Sequence, residues 1–207
     1  MSKQRKSIYY LTQAAIIAAL YAVLTLVCWT FSSLGIQVRI SEAFCVLPLF
    51  TNAAVPGLFI GCFLANVIAG NMPDAIFGSL TTLAAAGLTY LIGRTLKGKL
   101  RLFLAPLPAV VLNAIAVPYI LYYGYGLTEF LDQTSAAPVL ALYTLSVFIG
   151  QTIACYGIGV PLALALESIS RRVRIFGNPN ADRTKNEELT NTTDTQNEKG
   201  EQHDEMQ

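Results

Sequence analysis

Between Gly35 and Tyr90 the chain reads GIQVRISEAFCVLPLFTNAAVPGLFIGCFLANVIAGNMPDAIFGSLTTLAAAGLTY. Here Arg39, Glu42, Asn66, Asn71 and Asp74 interrupt a stretch that is otherwise almost wholly apolar. An ionisable side chain in hydrocarbon costs about 2.5–3.5 kcal/mol on insertion scales, so it faces a protein interior or a water-filled cavity and marks function by default. Residues of this kind so close together predict one polar pocket. The rest of the chain then reads as scaffold, orientation signal and docking surface around it.

That reading requires a membrane, and the composition supplies one. Hydrophobic residues make up 54% of the chain and charged residues 13%, where a soluble domain carries about 25% charged. The charges are also segregated. After Gly177 eight acids stand against three bases, leaving eleven of the 14 bases and five of the 13 acids for the membrane part. Two regions follow: a membrane domain over 1–176, and a polar, acidic tail over 177–207 that holds the one histidine, His203. The tail has no hydrophobic period and too little apolar area to offset its ordering entropy, so it is expected to be disordered. The basic start before an apolar run resembles a signal peptide. The run from Ile8 to about Phe31 is long enough to span, however, and no cleavage is expected. Cys28, Cys45, Cys62 and Cys155 lie in apolar segments without a CxxC pair and read as small buried hydrophobes.

The pattern predicts an all-α integral membrane fold of six transmembrane helices. They cover about Ile8–Ser32, Ser41–Thr51, Pro56–Gly70, Asp74–Arg94, Leu102–Tyr123 and Pro138–Ile169, the second and third being short. Asn52–Gly57 is a turn signal with a helix-starting proline, and Asn71-Met72-Pro73-Asp74 is a tight connection. Pro106, Pro108 and Pro118 are expected to bend the fifth helix. Positive loops stay cytoplasmic. Six crossings put Lys3, Arg5, Lys6, Arg94, Lys97, Lys99, Arg101, Arg171, Arg172 and Arg174 inside with both termini, and leave Arg39 as the one base outside. Fusing the two short helices into one crossing would place the 94–101 loop on the wrong side.

With that topology Arg39, Glu42, Asn66, Asn71 and Asp74 meet at the outer face, with Asn113 and Gln151 deeper. Arg39 and Glu42 are three residues apart and share a face within a helical turn, which also fits an ion pair closing the mouth of the bundle. The alternative is a binding site in which Glu42 and Asp74 accept donors from a polar solute. Trp29, at the outer end of the first helix, is a candidate stacking surface for a flat ligand. Tyr122, Tyr123 and Tyr125 fit the aromatic belt of a membrane interface. Ala14, Ala18 and Ala22 recur down one line of the first helix with Ala15 and Ala19 beside it, and such lines let another helix approach closely. No GxxxxGK[ST] phosphate loop or HExxH motif is present, and the sole histidine lies in the tail. A nucleophile–base set is therefore missing, and neither catalysis nor a metal or cofactor is expected.

The blocks IQVRISEAFCVLPLF (Ile36–Phe50), VPGLFIGCFLAN (Val55–Asn66) and DAIFGSLTTLAAAGLTY (Asp74–Tyr90) resemble the QueT family of substrate-binding subunits of energy-coupling factor (ECF) transporters. The resemblance covers about 1–175. It implies a multi-pass subunit of a bacterial cell membrane that binds a queuosine precursor from outside, a 7-deazaguanine such as preQ1 or preQ0. It also implies assembly with a transmembrane coupling subunit and two cytoplasmic ATPases, and no nucleic acid. In such subunits an AxxxA line of the first helix docks on the coupling subunit, a role that Ala14, Ala15, Ala18, Ala19 and Ala22 fit. A deazaguanine presents adjacent N–H donors that suit one carboxylate, and an aminomethyl group adds a cation for a second. Glu42 and Asp74 are assigned those roles, with Asn66, Asn71 and Gln151 reading the remaining edges and Trp29 or a tyrosine stacking. The family pattern includes an acid near Gln151, where this chain has an amide. A stand-alone secondary transporter of a small polar solute, with Glu42 or Asp74 carrying a proton, is the other reading.

Overall fold

The computed structural model describes residues 3–32, 39–96, 98–124 and 136–172; the side chain of Trp29, residues 125–135 and everything after Arg172 lie outside the described residues. Two units are distinguished, Met1–Ser168 and Ile169–Gln207, and only the helical turn 169–172 of the second is described. The expected tail boundary at 176–177 falls beyond it.

All regular structure among the described residues is helical. α1 is Lys3–Ser32, α2 is Ile40–Leu49, α3 is Ala54–Ile68, and α4 is Asp74–Thr95. α5 runs Lys99–Gly124, and α6 is the continuous run of Ala136–Thr152, Ile153–Gly159 and Val160–Arg172. Among the described residues the helices follow the predicted order, with the second and third short. Gln4–Cys28, Asp74–Thr95, Lys99–Gly124 and Leu140–Ile169 are long and apolar enough to cross a membrane, while α2 and α3 are shorter apolar helices.

Three departures from regular α-helix concern the polar region. α2 is wound as a tight 3-10 helix. α4 opens with the wide π turn Asp74–Gly78, and α6 carries the π stretch Ile153–Gly159. Such π segments are rare and cluster at functional sites. α5 is interrupted at 105–106, between Lys99–Leu104 and Leu107–Gly124, where Thr89 Oγ1 donates to the Ala105 carbonyl at 2.8 Å. Pro118 sits inside the second segment without breaking it.

Many large apolar side chains point outward, among them Leu11, Val27, Ile68, Phe103 and Leu142, while the interior is rich in alanines and polar groups beside a smaller set of buried Val46, Leu49, Leu58, Leu102, Val110 and Val147. Lipid tails are as apolar as leucine, so nothing drives those side chains inward, and small residues at helix contacts supply the cohesion instead. The α1–α3 contact shows how. A Cβ added at Gly57 would lie 2.9 Å from the Ala14 carbonyl oxygen, and one at Gly61 would lie 2.7 Å from that of Ala18 and 2.9 Å from Tyr21 Cβ. Ala14, Ala18 and Ala22 face this seam and are buried. Hydroxyls of Thr12, Thr25, Thr81, Thr82, Thr95 and Thr152 bond back to carbonyls four residues earlier, hiding their polarity within their own helices.

α2 lies in the interior against the π stretch of α6, where a Cβ at Gly159 would meet the Ala43 carbonyl oxygen at 3.0 Å. The α3–α4 turn is closed by a Schellman motif. Gly70 takes φ +77°, the Asn71 N–H bonds to the Asn66 carbonyl at 2.8 Å, and the Gly70 N–H bonds to that of Val67 at 3.1 Å. The turn therefore holds Asn66 and Asp74 close together.

Candidate functional site

Polar residues from all six helices are buried in the interior, among them Tyr21 on α1, Ser41 and Glu42 on α2, Asn66 on α3, Asp74 on α4, Asn113 on α5 and Gln151 on α6. Glu42 is 2% exposed, and both of its carboxylate oxygens are engaged. Tyr21 Oη donates to Oε1 at 2.6 Å and Asn113 Nδ2 to Oε2 at 3.3 Å. Both are neutral donors. Cys155 Sγ lies 3.5 Å from the Glu42 carbonyl and 3.5 Å from Gln151 Oε1, tying α6 to α2. Ser41 Oγ donates to Thr25 Oγ1 at 2.8 Å, the Thr25 proton being on the Tyr21 carbonyl, which fixes the start of α2 on α1.

The second centre is the ion pair of Arg39 Nη2 with Asp74 Oδ2. Arg39 Nη2 also reaches Asn66 Oδ1 at 3.3 Å, while Asn66 Nδ2 is anchored on the Cys62 carbonyl at 3.0 Å and lies 3.5 Å from that of Asp74. The ion pair allowed for between Arg39 and Glu42 is therefore not the one that forms. Arg39 is the N-cap of α2 with extended backbone (φ −91°, ψ 96°), so its side chain leaves the helical face that Glu42 occupies and turns to α4. Asp74 Oδ1 has no hydrogen-bond partner among the described residues although it is shielded from solvent. It lies against Gly78, whose missing Cβ leaves the space that the carboxylate fills.

Of the residues named from the sequence, Arg39, Glu42, Asn66, Asp74 and Gln151 stand in this buried region. Asn71 contributes its backbone: its N–H and C=O close the turn, the latter accepting from the Ala75 N–H at 2.8 Å. The Trp29 side chain is outside the described residues. Tyr21 was missed, and Asn113 was noted only for its depth. Tyr21 follows Ala18 by three residues and so shares the alanine face, which was the available signal. The alanines themselves divide. Ala14, Ala18 and Ala22 are spent on α3 within the chain, while Ala15 and Ala19 are exposed.

A separate groove of about 700 Å³ runs between α4 and α5, lined by Pro73, Phe77, Leu80, Leu112, Ile115 and Tyr119 among others; it shares no residue with the polar region. No group of three or more metal-ligating side chains occurs among the described residues.

Long apolar helices wrapped around a buried set of charged and amide side chains define a polytopic membrane protein. The chain belongs to the QueT transporter family, whose model matches residues 11–168. It is thus a membrane transporter protein and not an enzyme. Comparison with curated proteins and with solved structures gave no significant match.

Proposed function

We propose that this chain is the solute-binding subunit of an ECF-type, ATP-driven importer and that it captures a 7-deazaguanine queuosine precursor from outside a bacterial plasma membrane. The observation that carries the reading is the buried meeting of Arg39, Glu42, Asn66, Asp74, Asn113 and Gln151 in a chain of the QueT family. Two carboxylates at neighbouring positions suit a planar base with donors on one edge and a substituent on another. The chain has no phosphate loop of its own, so ATP would be hydrolysed by partner subunits. The proposed topology is six crossings with both ends cytoplasmic, which keeps the basic loops inside.

Ala15 and Ala19, exposed on α1, are the part of the alanine set free to meet a coupling subunit. Replacing both with leucine should lower the yield of the assembled complex and leave solute binding by the isolated subunit unchanged.

A thermal-shift titration of the purified chain against deazapurines, nucleobases and vitamins tests the substrate. A rise in melting temperature confined to 7-deazaguanines is expected, and a shift with none of them overturns the reading. One observation favours a stand-alone proton-coupled transporter: Glu42 is held by neutral donors, as a carboxyl that gains and loses a proton would be. Co-purification separates the two. Recovery of a coupling subunit with two ATPases is expected; uptake that persists after their deletion would favour the proton-coupled protein.

A further inference from the structure

The two buried carboxylates are not equivalent, and the difference assigns them different work. Glu42 has a protein donor on each oxygen. Asp74 holds Arg39 on Oδ2 and, among the described residues, nothing on Oδ1, although the residue is 6% exposed and Oδ1 is closed to solvent. Buried polar atoms are almost always paired, so an orphaned carboxylate oxygen calls for an explanation. Oδ1 itself fills the space that a Cβ on Gly78 would take.

The hold of Arg39 is also incomplete. A guanidinium grips a carboxylate most firmly as a fork, one nitrogen to each oxygen. Here Nη2 alone is shared between Asp74 Oδ2 and Asn66 Oδ1. Arg39 stands at the N-cap with its side chain 17% exposed, so the guanidinium can swing away without unwinding α2. Its departure would leave three oxygens together, Asp74 Oδ1, Asp74 Oδ2 and Asn66 Oδ1. An alkylammonium is a compact charge with exactly that number of N–H donors.

Resting on the deazaguanine reading above, we propose that Arg39 is an exchangeable counter-ion: a solute's ammonium group replaces it on Asp74, so that the site selects an aminomethyl-substituted 7-deazaguanine over the neutral nitrile form. The exchange keeps the charge around Asp74 constant, since one cation enters as another leaves. A nitrile is only an acceptor and would face carboxylate and amide oxygens without a proton between them.

The test is titration calorimetry of the purified chain in detergent with aminomethyl- and cyano-7-deazaguanine, on wild type, Asp74→Asn and Arg39→Gln. Wild type should bind the aminomethyl form about tenfold or more tighter than the nitrile. Asp74→Asn should weaken the aminomethyl ligand by roughly tenfold and the nitrile by less than about threefold. Arg39→Gln removes the competitor and should tighten the aminomethyl ligand by about threefold or more with the nitrile unchanged. Equal loss of both ligands in Asp74→Asn, or weaker aminomethyl binding in Arg39→Gln, overturns the exchange. If Asp74→Asn does not fold, the Arg39→Gln result decides. Wild type binding both forms equally sinks the exchange alone, whereas wild type binding neither sinks the substrate reading and the exchange with it.

Discussion

The α1–α3 seam and the α4–α5 seam are built from opposite materials. At the first, Gly57 and Gly61 bring α3 against the backbone carbonyls of Ala14 and Ala18, with no room for one further methyl. At the second, Phe77, Leu80, Ile115 and Tyr119, each half or more exposed, line an outward-facing groove of about 700 Å³ between the helices. In lipid, helices are held by close packing rather than by the hydrophobic effect. The difference between the seams is therefore a difference in cohesion. It maps onto the two carboxylates. Tyr21, on the tight seam, is the shorter-bonded of the two donors to Glu42; Asp74 opens the helix that borders the groove, with Pro73 and Phe77 of the lining on either side of it in sequence. One half of the polar interior is clamped and fully bonded, and the other stands beside slack.

The comparison can be broken most directly at Gly61. Gly61→Leu should prevent α1 from closing on α3, at a cost of about 3 kcal/mol or more, because overpacking here meets backbone that cannot yield. A large loss of melting temperature in detergent checks this; near-normal stability would mean the seam is not tight. Tyr21→Phe keeps the packing and removes one hydroxyl, leaving Glu42 Oε1 unbonded, which should cost about 1–3 kcal/mol. The same measurement applies, and Asn113→Ala should not add fully to it because both act on one carboxylate. Glu42→Gln retains the shape and should weaken deazaguanine binding in calorimetry while the melting temperature moves little. Unchanged affinity would remove Glu42 from the site. At the loose seam Ala84→Leu adds a side chain to open space and should shift stability by no more than about 0.5 kcal/mol. A shift as large as that of Gly61→Leu would erase the distinction between the seams.

Helix order and the burial of charge were legible because both follow from apolar run length. That arithmetic placed α4 to within a residue and recognised the two short helices. Pairing was less legible. A spacing of three placed Arg39 beside Glu42 on one face, but that rule holds only inside a helix, and Arg39 stands one residue before it in extended backbone. Its true partner lies 35 positions on, across a turn whose geometry depends on Gly70. Ala14, Ala18 and Ala22 were legible as a contact line, not as to what they contact. The glycines of α3 that receive them were visible in the sequence and went unmatched. The π segments had no sequence mark, since an extra residue in a helical turn is decided by packing.

The π stretch of α6 has a mechanical meaning. Where the ladder runs from each N–H to the fifth carbonyl back, one residue is surplus to the ordinary winding. The surplus can travel along the axis by trading bonds one for one. α6 thus contains a dislocation beside Gln151 and Cys155, in direct touch with the helix that bears Glu42. The one stretch of α6 that departs from ordinary winding is the stretch packed against α2.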